Sequence, residues 1–286
     1  MPPSNKRKRT VIMEPVPFEE KLLSRYTFPV IVQPKLNGER CLAQVTQGES
    51  VILLSSTGLN ISSVPHIQKE LLQYPSGYYD GELYNSTLAV QDIHSIVSRK
   101  VGLHPDHHII CFHIFDIARD LDQRRRYDSL WHTYNEAIGQ PHLMLVEPLF
   151  CITKELVWMA LEQYSASGYE GIVIRNSVAL YTPGKQPLCM MKYKPKKQDV
   201  YKIVGFQEEV DKYGMPKGSL GSFILSDARN NIFKSGSGLT KDQREHYWYH
   251  REEYRGMYVL IEYPELTKRG VPSQPIFKEI RKDKDE

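Results

Sequence analysis

The chain has 286 residues, of which 41% are hydrophobic, which suits one large domain or two of ordinary size. With 37 basic and 34 acidic residues the net charge is +3, so the chain is no polycation, and a nucleic-acid-binding surface would need its positive charge gathered on one face. Four scattered cysteines indicate neither a zinc site nor a disulfide framework, and no signal peptide or membrane-spanning run is apparent. We therefore expect an intracellular protein.

The first 17 residues are rich in proline and charge, and they contain Lys6-Arg7-Lys8-Arg9. This composition predicts a flexible basic arm over residues 1–17. Such an arm can be a nuclear address, a tail that grips phosphates, or only a solubilising terminus.

Residues 18–195 mix predicted strands and helices without a regular β-α-β rhythm, which favours an α+β domain with mixed or antiparallel sheets. Apolar periodicity predicts helices over 18–26, 66–73, 90–97, 124–138 and 154–167. It predicts strands over 30–32, 41–45, 51–54, 78–84, 108–117, 145–150, 171–175 and 190–194.

The pattern of predicted elements changes at residues 195–199, from mixed helices and strands to mostly short strands, and we place a hinge and a domain boundary there. Beyond it, residues 196–286 hold about five short strands and one helix, predicted over 240–248. These proportions suit a small β-barrel of the oligonucleotide-binding (OB) type.

The stretch Gln33-Pro34-Lys35-Leu36-Asn37-Gly38-Glu39-Arg40 lies between two predicted strands. It places a lysine at a strand end, beside a glycine that permits a tight turn. A lysine is a nucleophile only when deprotonated, which requires nearby cations or burial. By itself this stretch is more often an ordinary hairpin turn.

Further stretches follow in a fixed order: Asp80-Gly81-Glu82-Leu83, Phe112-His113-Ile114-Phe115-Asp116, Glu170-Gly171-Ile172-Val173-Ile174-Arg175, Lys192-x-Lys194 and Arg281-Lys282-Asp283-Lys284. Each alone has an ordinary structural interpretation: a hairpin turn, a core phenylalanine, a solvated strand face, a charged terminus. Taken together, the series resembles the covalent nucleotidyltransferases, and above all the small viral and phage ATP-dependent DNA ligases. The resemblance is most specific at Gly236-Ser237-Gly238-Leu239-Thr240-Lys241-Asp242-Gln243-Arg244 in the second domain.

The resemblance implies an adenylation domain followed by an OB domain, and it assigns roles to residues around a nucleotide. Lys35 would attack the α-phosphorus of ATP and form a lysyl-adenylate. Gln33 would line the base pocket and Phe115 would stack on adenine. Glu82 and Glu170 would serve the ribose and a Mg²⁺ or Mn²⁺ ion, for which hard carboxylate oxygens are suited.

The remaining roles concern phosphates and sugar. Arg40 would contact the sugar or the nick phosphate, while Lys192 and Lys194 would hold the α-phosphate. Arg281 and Lys284 would orient pyrophosphate when the OB domain closes over the pocket. The resemblance further implies a monomer that acts on nicked duplex DNA in repair, replication or recombination, with a viral source and the host cytoplasm or nucleus as its location.

Three departures from the ligase pattern bear on the substrate. Asn37 stands where aspartate is usual, and Ser56 stands where an arginine would grip the 5′-phosphate side of a nick. Only residues 209–217 join the first two barrel strands, so we expect partial encirclement of DNA and salt-sensitive binding. Asn37, Arg40 and Ser56 would face the nucleic acid, and the first two departures leave an RNA or RNA/DNA-hybrid ligase as an alternative. A capping guanylyltransferase and a non-catalytic nucleic-acid-binding module are further alternatives.

Overall fold

The chain divides into two structural units, Met1–Lys194 and Pro195–Glu286. The computed structural model describes residues 12–137, 139–183, 188–267 and 269–284. The helices of the first unit are α1 (Glu20–Leu23), α2 (Pro65–Leu71), α3 (Val90–Val97), α4 (Gln123–Glu136) and α5 (Lys154–Ala166). Its strands are β1 (Val16–Pro17), β2 (Val30–Pro34), β3 (Glu39–Thr46), β4 (Ser50–Ser55), β5 (Asn60–Ile61), β6 (Gly77–Tyr84), β7 (Cys111–Ile117), β8 (Leu143–Leu145), β9 (Leu149–Cys151), β10 (Ile172–Arg175) and β11 (Met190–Tyr193).

Two sheets organise the first unit. One has the strand order β1-β11-β10-β2-β9 and the other β5-β4-β3-β6-β7-β8. Each contains one parallel pair among antiparallel ones, β1 with β11 and β7 with β8. The mixed, non-alternating topology confirms the predicted α+β class.

Each sheet buries its apolar side chains under its own helices. Apolar residues of β2 and β10 pack against α1 and α5 in one cluster. Side chains of β3, β6 and β7 pack against α2 and α3 in another. The helices α4 and α5 begin where side chains of Asp122 and Thr153 accept hydrogen bonds from backbone N–H groups in the first turn. Each sheet therefore packs one face against its helices, and polar residues of its central strands remain available for a functional site.

Four predictions about the first unit are wrong. Residues 12–17 are no flexible arm, because Ile12 and Met13 are buried and β1 pairs with β11; residues 1–11, including Lys6–Arg9, lie outside the described residues. The predicted strand over 145–150 is two strands, β8 and β9, in different sheets. The strand predicted from residue 108 begins at Cys111, after a 3₁₀ turn at His107–Ile109. The helix predicted over 18–26 forms only over Glu20–Leu23.

The second unit is a five-stranded antiparallel sheet with the order β14-β13-β12-β15-β16. Its strands are β12 (Lys197–Val210), β13 (Pro216–Ser226), β14 (Ile232–Ser235), β15 (Tyr258–Tyr263) and β16 (Ile276–Arg281), with helices α6 (Lys241–Tyr249) and α7 (Arg251–Tyr254). A bridge between Ser237 and Ile276 closes the sheet. Because β12 begins at Lys197, most of the predicted hinge over 195–199 belongs to the first barrel strand.

The glycine-rich motif of the second unit is explained by the fold of the barrel. Thr240 and Gln243 form a reciprocal capping box that starts α6. The Arg244 guanidinium donates to the carbonyls of Leu220 and Gly221 at 2.8 and 2.9 Å. Gly238 has φ +91°, and a Cβ there would meet the Phe277 carbonyl oxygen at 2.6 Å. The motif therefore fastens α6 to β13 and lets the chain at Gly238 pass close to β16.

Candidate active site

A cavity of about 220 Å³ lies in the first unit, where strands of both sheets approach each other. From one sheet it is lined by residues of β2, β10 and β11, and from the other by residues of β3, β6 and β7. Its lining includes seven of the predicted site residues: Gln33, Lys35, Arg40, Ser56, Glu82, Phe115 and Lys192.

Lys35 follows directly after β2, and its side chain is tied to an acidic partner from a distant part of the chain. The Glu170 carboxylate accepts hydrogen bonds from Lys35 Nζ through one oxygen and from Lys194 Nζ through the other. Burial raises the pKa of Glu170, but the hydrogen bonds and charges of the two lysines outweigh it and lower the pKa below its usual value. Glu170 thus holds two lysines together as a stable carboxylate.

The backbone under Lys35 depends on a close approach of two chain segments. The Lys35 N–H donates to the Gly171 carbonyl oxygen at 2.8 Å. A Cβ on Gly171 would collide with the carbonyl oxygen of Tyr193, just before Lys194. The glycine after Glu170 therefore lets the chain segments that carry Glu170, Lys194 and Lys35, at the ends of β10, β11 and β2, meet.

Glu82 lies on β6 opposite Arg40 of β3. Its Oε1 accepts the Gly38 N–H at 3.2 Å. Burial raises the pKa of Glu82 to about 7, although the charges of Arg40 and Lys35 and the Gly38 hydrogen bond oppose the rise. Glu82 therefore changes its charge near neutral pH, which no pattern in the sequence predicted.

Arg40 is held by a buried carboxylate. Its Nε and Nη2 each lie 2.8 Å from an Asp80 oxygen. Burial would lower the pKa of Arg40, but the contacts with Asp80 outweigh it and raise the pKa. The guanidinium also lies 4.5 Å from the centre of the Phe115 ring. One face of the predicted stacking residue is thus covered by Arg40, which would have to move if a base stacked on that face.

Two buried polar atoms of cavity-lining residues lack a hydrogen-bond partner among the described residues: Gln33 Oε1, an acceptor, and Arg175 Nε, a donor. The orientation of the Gln33 amide is fixed, since its Nε2 donates to the Phe115 and Val146 carbonyls at 3.2 and 3.1 Å. Such unsatisfied groups are unfavourable unless something binds them.

The structure brings together most but not all of the predicted site. Asn37 is half-buried and is not among the residues that line the cavity. Lys194 does not line the cavity either, but it forms an ion pair with Glu170, which also pairs with Lys35. Arg281 and Lys284 belong to the second unit, where Arg281 pairs with Glu279 at 2.8 Å; their predicted role in orienting pyrophosphate stays a prediction.

Sequence reasoning missed several residues of the cavity and its support. Ile12, Glu14, Pro15 and Arg175 line the cavity, and Asp80 supports Arg40. Asp80-Gly81, which could equally have been a hairpin turn, lies within β6 at a bulge. Asp80 and Arg175 lie inside motifs that the sequence analysis had noted, and nothing else in the sequence indicated their roles. No sequence pattern indicated that residues 12–15 would line the cavity.

Comparison with known proteins agrees with this architecture. The sequence model described as "ATP dependent DNA ligase domain" matches residues 13–194, more than half of the chain. The chain belongs to the ATP-dependent DNA ligase family. A second model, "DNA ligase OB-like domain", matches residues 213–281. The resemblance predicted from the ordered motifs is confirmed.

The curated relatives of this chain include DNA ligases of several African swine fever virus isolates. That of isolate Warthog/Namibia/Wart80/1980 is 27% identical over 163 residues, which are 54% of this chain and 38% of the relative. That of isolate Pig/Kenya/KEN-50/1950 is 28% identical with the same coverage. The matched region is thus less than half the length of these relatives.

Solved ligase structures share the fold. A Lig E DNA ligase, studied for DNA binding with a minimal scaffold, has a TM-score of 0.69 at 20% identity, covering 94% of this chain and 98% of its own. Chlorella virus DNA ligase-adenylate has a TM-score of 0.55 at 22% identity, covering 96% and 99%. The ATP complex of the bacteriophage T7 ligase has 0.56 at 17%, with coverage of 96% and 99%. The predicted combination of nucleotidyltransferase domain and OB barrel is confirmed.

No helix among the described residues is long and apolar enough to cross a membrane.

Proposed function

We propose that this chain is an ATP-dependent polynucleotide ligase that seals 3′-hydroxyl/5′-phosphate nicks in duplex DNA. The observation that carries the proposal is the convergence of Lys35, Glu82 and Lys192 at one cavity, with Glu170 paired to Lys35. A lysine in an ordinary turn at the end of a strand is not expected to lie among these charged side chains. Repair, replication or recombination would supply such nicks.

The reaction would proceed by three transfers. Lys35 Nζ, after leaving Glu170 and losing a proton, forms a bond to the α-phosphorus of ATP while pyrophosphate departs. The AMP then passes to the 5′-phosphate of the nick and Lys35 regains its amine. The 3′-hydroxyl finally attacks that 5′-phosphate, and AMP leaves. Lys192 and Lys194 offset the negative charge that develops on the phosphate oxygens.

The unsatisfied pair in the cavity supports adenine as the base. Gln33 Oε1 can accept a hydrogen bond from the exocyclic amino group of adenine, and Arg175 Nε can donate to ring nitrogen N1. Guanine presents the opposite pattern at these positions, an oxygen acceptor and an N–H donor. The pair would therefore reject GTP, which argues against a capping guanylyltransferase.

A divalent metal, Mg²⁺ or Mn²⁺, is part of the proposal. Within the described residues no group of three or more His, Cys, Asp or Glu side chains is arranged to hold a metal ion. Magnesium often takes one or two protein carboxylates together with substrate phosphates. Glu82 lines the cavity and would be such a ligand when ionised, whereas both Glu170 oxygens accept from lysines. The bound metal would neutralise phosphate charge.

The proposed contacts with nucleic acid involve three residues in or near the cavity. Arg40 and Ser56 line the cavity and would approach the nick, with Asn37 beside them. Ser56 and Asn37 replace charged residues that the ligase pattern usually has, so RNA/DNA hybrids are retained as a second substrate class to test. Arg281 and Lys284 would contact pyrophosphate in the first step.

The proposal is tested by incubating the protein with ATP labelled at the α-phosphate and a divalent metal. The wild type should become covalently labelled, and Lys35→Ala should not, while it still binds nicked DNA. Lys69→Ala is the matched control, since Lys69 is an exposed lysine on α2. Labelling of the Lys35→Ala variant would refute the assignment.

Substrate choice is tested separately. Labelled GTP should fail to modify the wild type. A panel of nicked duplexes with RNA or DNA on either side of the nick then identifies the strand preference, with all-DNA nicks expected to be sealed fastest.

A further inference from the structure

The segment Ile12-Met13-Glu14-Pro15, which we call the strap, forms one wall of the cavity. Ile12, Glu14 and Pro15 line it, and Ile12 and Met13 are only 2% and 1% exposed. The strand β1 follows directly and pairs with β11, which carries Lys192. One end of the strap is therefore anchored, and the other end needs separate support.

That support is a closed ring of hydrogen bonds around Met13. The Met13 carbonyl accepts from Arg40 Nη2 at 3.2 Å, and the Met13 N–H donates to the Tyr181 hydroxyl at 3.3 Å. The Tyr181 hydroxyl in turn donates to Asp80 Oδ2 at 2.6 Å, and Asp80 holds Arg40. Burial, with the Asp80 charge, raises the pKa of Tyr181, so the hydroxyl stays protonated as a donor.

Tyr181 is not among the residues that line the cavity. Its hydroxyl is hydrogen-bonded to Met13 and Asp80, so loss of the hydroxyl alone would reach a ligand through one of these two residues. Arg40 would keep both of its hydrogen bonds to Asp80 without Tyr181, whereas the Met13 N–H would lose its acceptor. Removing the hydroxyl should thus loosen the strap more than it disturbs Arg40.

We propose that Tyr181 is a positioning residue for nucleotide binding, which acts through Met13 to hold the strap as a wall against the bound nucleotide. The inference rests on the proposed function, because it takes ATP as the ligand of the cavity. A loosened strap must be ordered each time the nucleotide binds, so affinity falls. The chemistry at Lys35 should be unaffected once the site is filled.

The decisive variant is Tyr181→Phe, with Tyr249→Phe as its control, since Tyr249 is 82% exposed on α6. ATP affinity is measured by calorimetry, and the rate of enzyme–AMP formation is measured over a range of ATP concentrations. We expect Tyr181→Phe to bind ATP ~10-fold more weakly, the scale of one lost hydrogen bond in a buried network. Its rate at saturating ATP should match the wild type, and Tyr249→Phe should match it throughout.

A second variant, Ile12→Ala, leaves the hydrogen-bond ring intact but removes a side chain from the wall, so it too should weaken ATP binding. If Tyr181→Phe does not fold, Ile12→Ala still tests whether the strap is a wall of the nucleotide site. Wild-type ATP affinity in Tyr181→Phe, whether or not its Tm is lowered, or wild-type affinity in Ile12→Ala, would overturn the proposal. If the wild type binds ATP but is never labelled, the ligase proposal fails. The ATP affinities of the variants would still test whether Tyr181 and the strap support nucleotide binding.

Discussion

The two units differ in whether their charged side chains are buried. In the first unit Asp80, Asp116, Arg126 and Arg175 are buried, whereas the buried polar residues described in the second unit are three serines. Ion pairs of the second unit, such as Glu262 with Lys196 and Lys278, include well-exposed lysines. Burying ions is costly and seldom improves stability over apolar packing. The buried charges of the first unit therefore indicate a demand for fixed geometry.

That demand is visible beneath the cavity. Asp116 accepts hydrogen bonds from Arg126 at 2.8 and 3.1 Å and from Arg175 at 3.0 Å. Arg175 lines the cavity and lies 5.3 Å from the centre of the Phe115 ring. The network thus fixes cavity-lining groups, while the second unit relies on an apolar barrel core around Phe223 and Phe277.

The strongest test of this difference is Asp116→Ala. It leaves two buried guanidinium groups without their carboxylate, and removing one partner of a buried ion pair costs about 3–5 kcal/mol. The free energy of unfolding from urea denaturation should fall by that amount. A loss below ~1 kcal/mol, as expected for an exposed pair, would show that the buried network is not needed for stability.

Gly171→Ala probes the close approach beside Lys35. Its Cβ would collide with the Tyr193 backbone, so overpacking should cost roughly 1–3 kcal/mol of unfolding free energy. Enzyme–AMP formation should fall as well. The matched change in the second unit is Gly205→Ala, whose nearest neighbour is the flexible end of Ile224 at 3.3 Å. Equal destabilisation by the two changes would contradict the special role of Gly171.

Glu82 should make stability depend on pH. Its folded-state pKa of about 7 lies above the ordinary value of 4.5, so the folded protein holds the proton more tightly than the unfolded chain. The contribution is most favourable below pH 4.5 and is lost as pH rises to about 7. At ~1.4 kcal/mol per pKa unit, the loss is on the order of 2 kcal/mol after allowance for partial exposure.

The measurement is urea denaturation of wild type and Glu82→Gln between pH 4.5 and 8. The difference between the two curves should grow in favour of the variant as pH rises. A difference that is constant with pH would mean that Glu82 is already ionised throughout the range.

The smallest effect is expected for Glu262→Ala in the second unit. Its lysine partners at 2.7 and 3.2 Å are largely exposed, so the free energy of unfolding should drop by only ~0–1 kcal/mol, and less at high salt. A loss comparable with that of Asp116→Ala would remove the distinction between the units.

Sequence alone determined most of the local elements and the order of the motifs. Periodicity gave α3 its observed bounds, and the capping pair Thr240 and Gln243 lies in the motif that carried the family resemblance. Lys35, Glu82 and Lys192 were placed at one site because the family motifs named them, and the cavity contains all three.

Tertiary structure decided what depends on contacts between distant segments. The separation of β8 from β9, the burial of Asp80 under Arg40, the pKa of Glu82 and the strap around Met13 all arise from such contacts. Asp80 and Tyr181 are 101 positions apart, yet one hydrogen bond joins them. Periodicity reports how a residue relates to its near neighbours in sequence. Burial and charge pairing are set by which sheets come together, and that information is spread over the whole first unit.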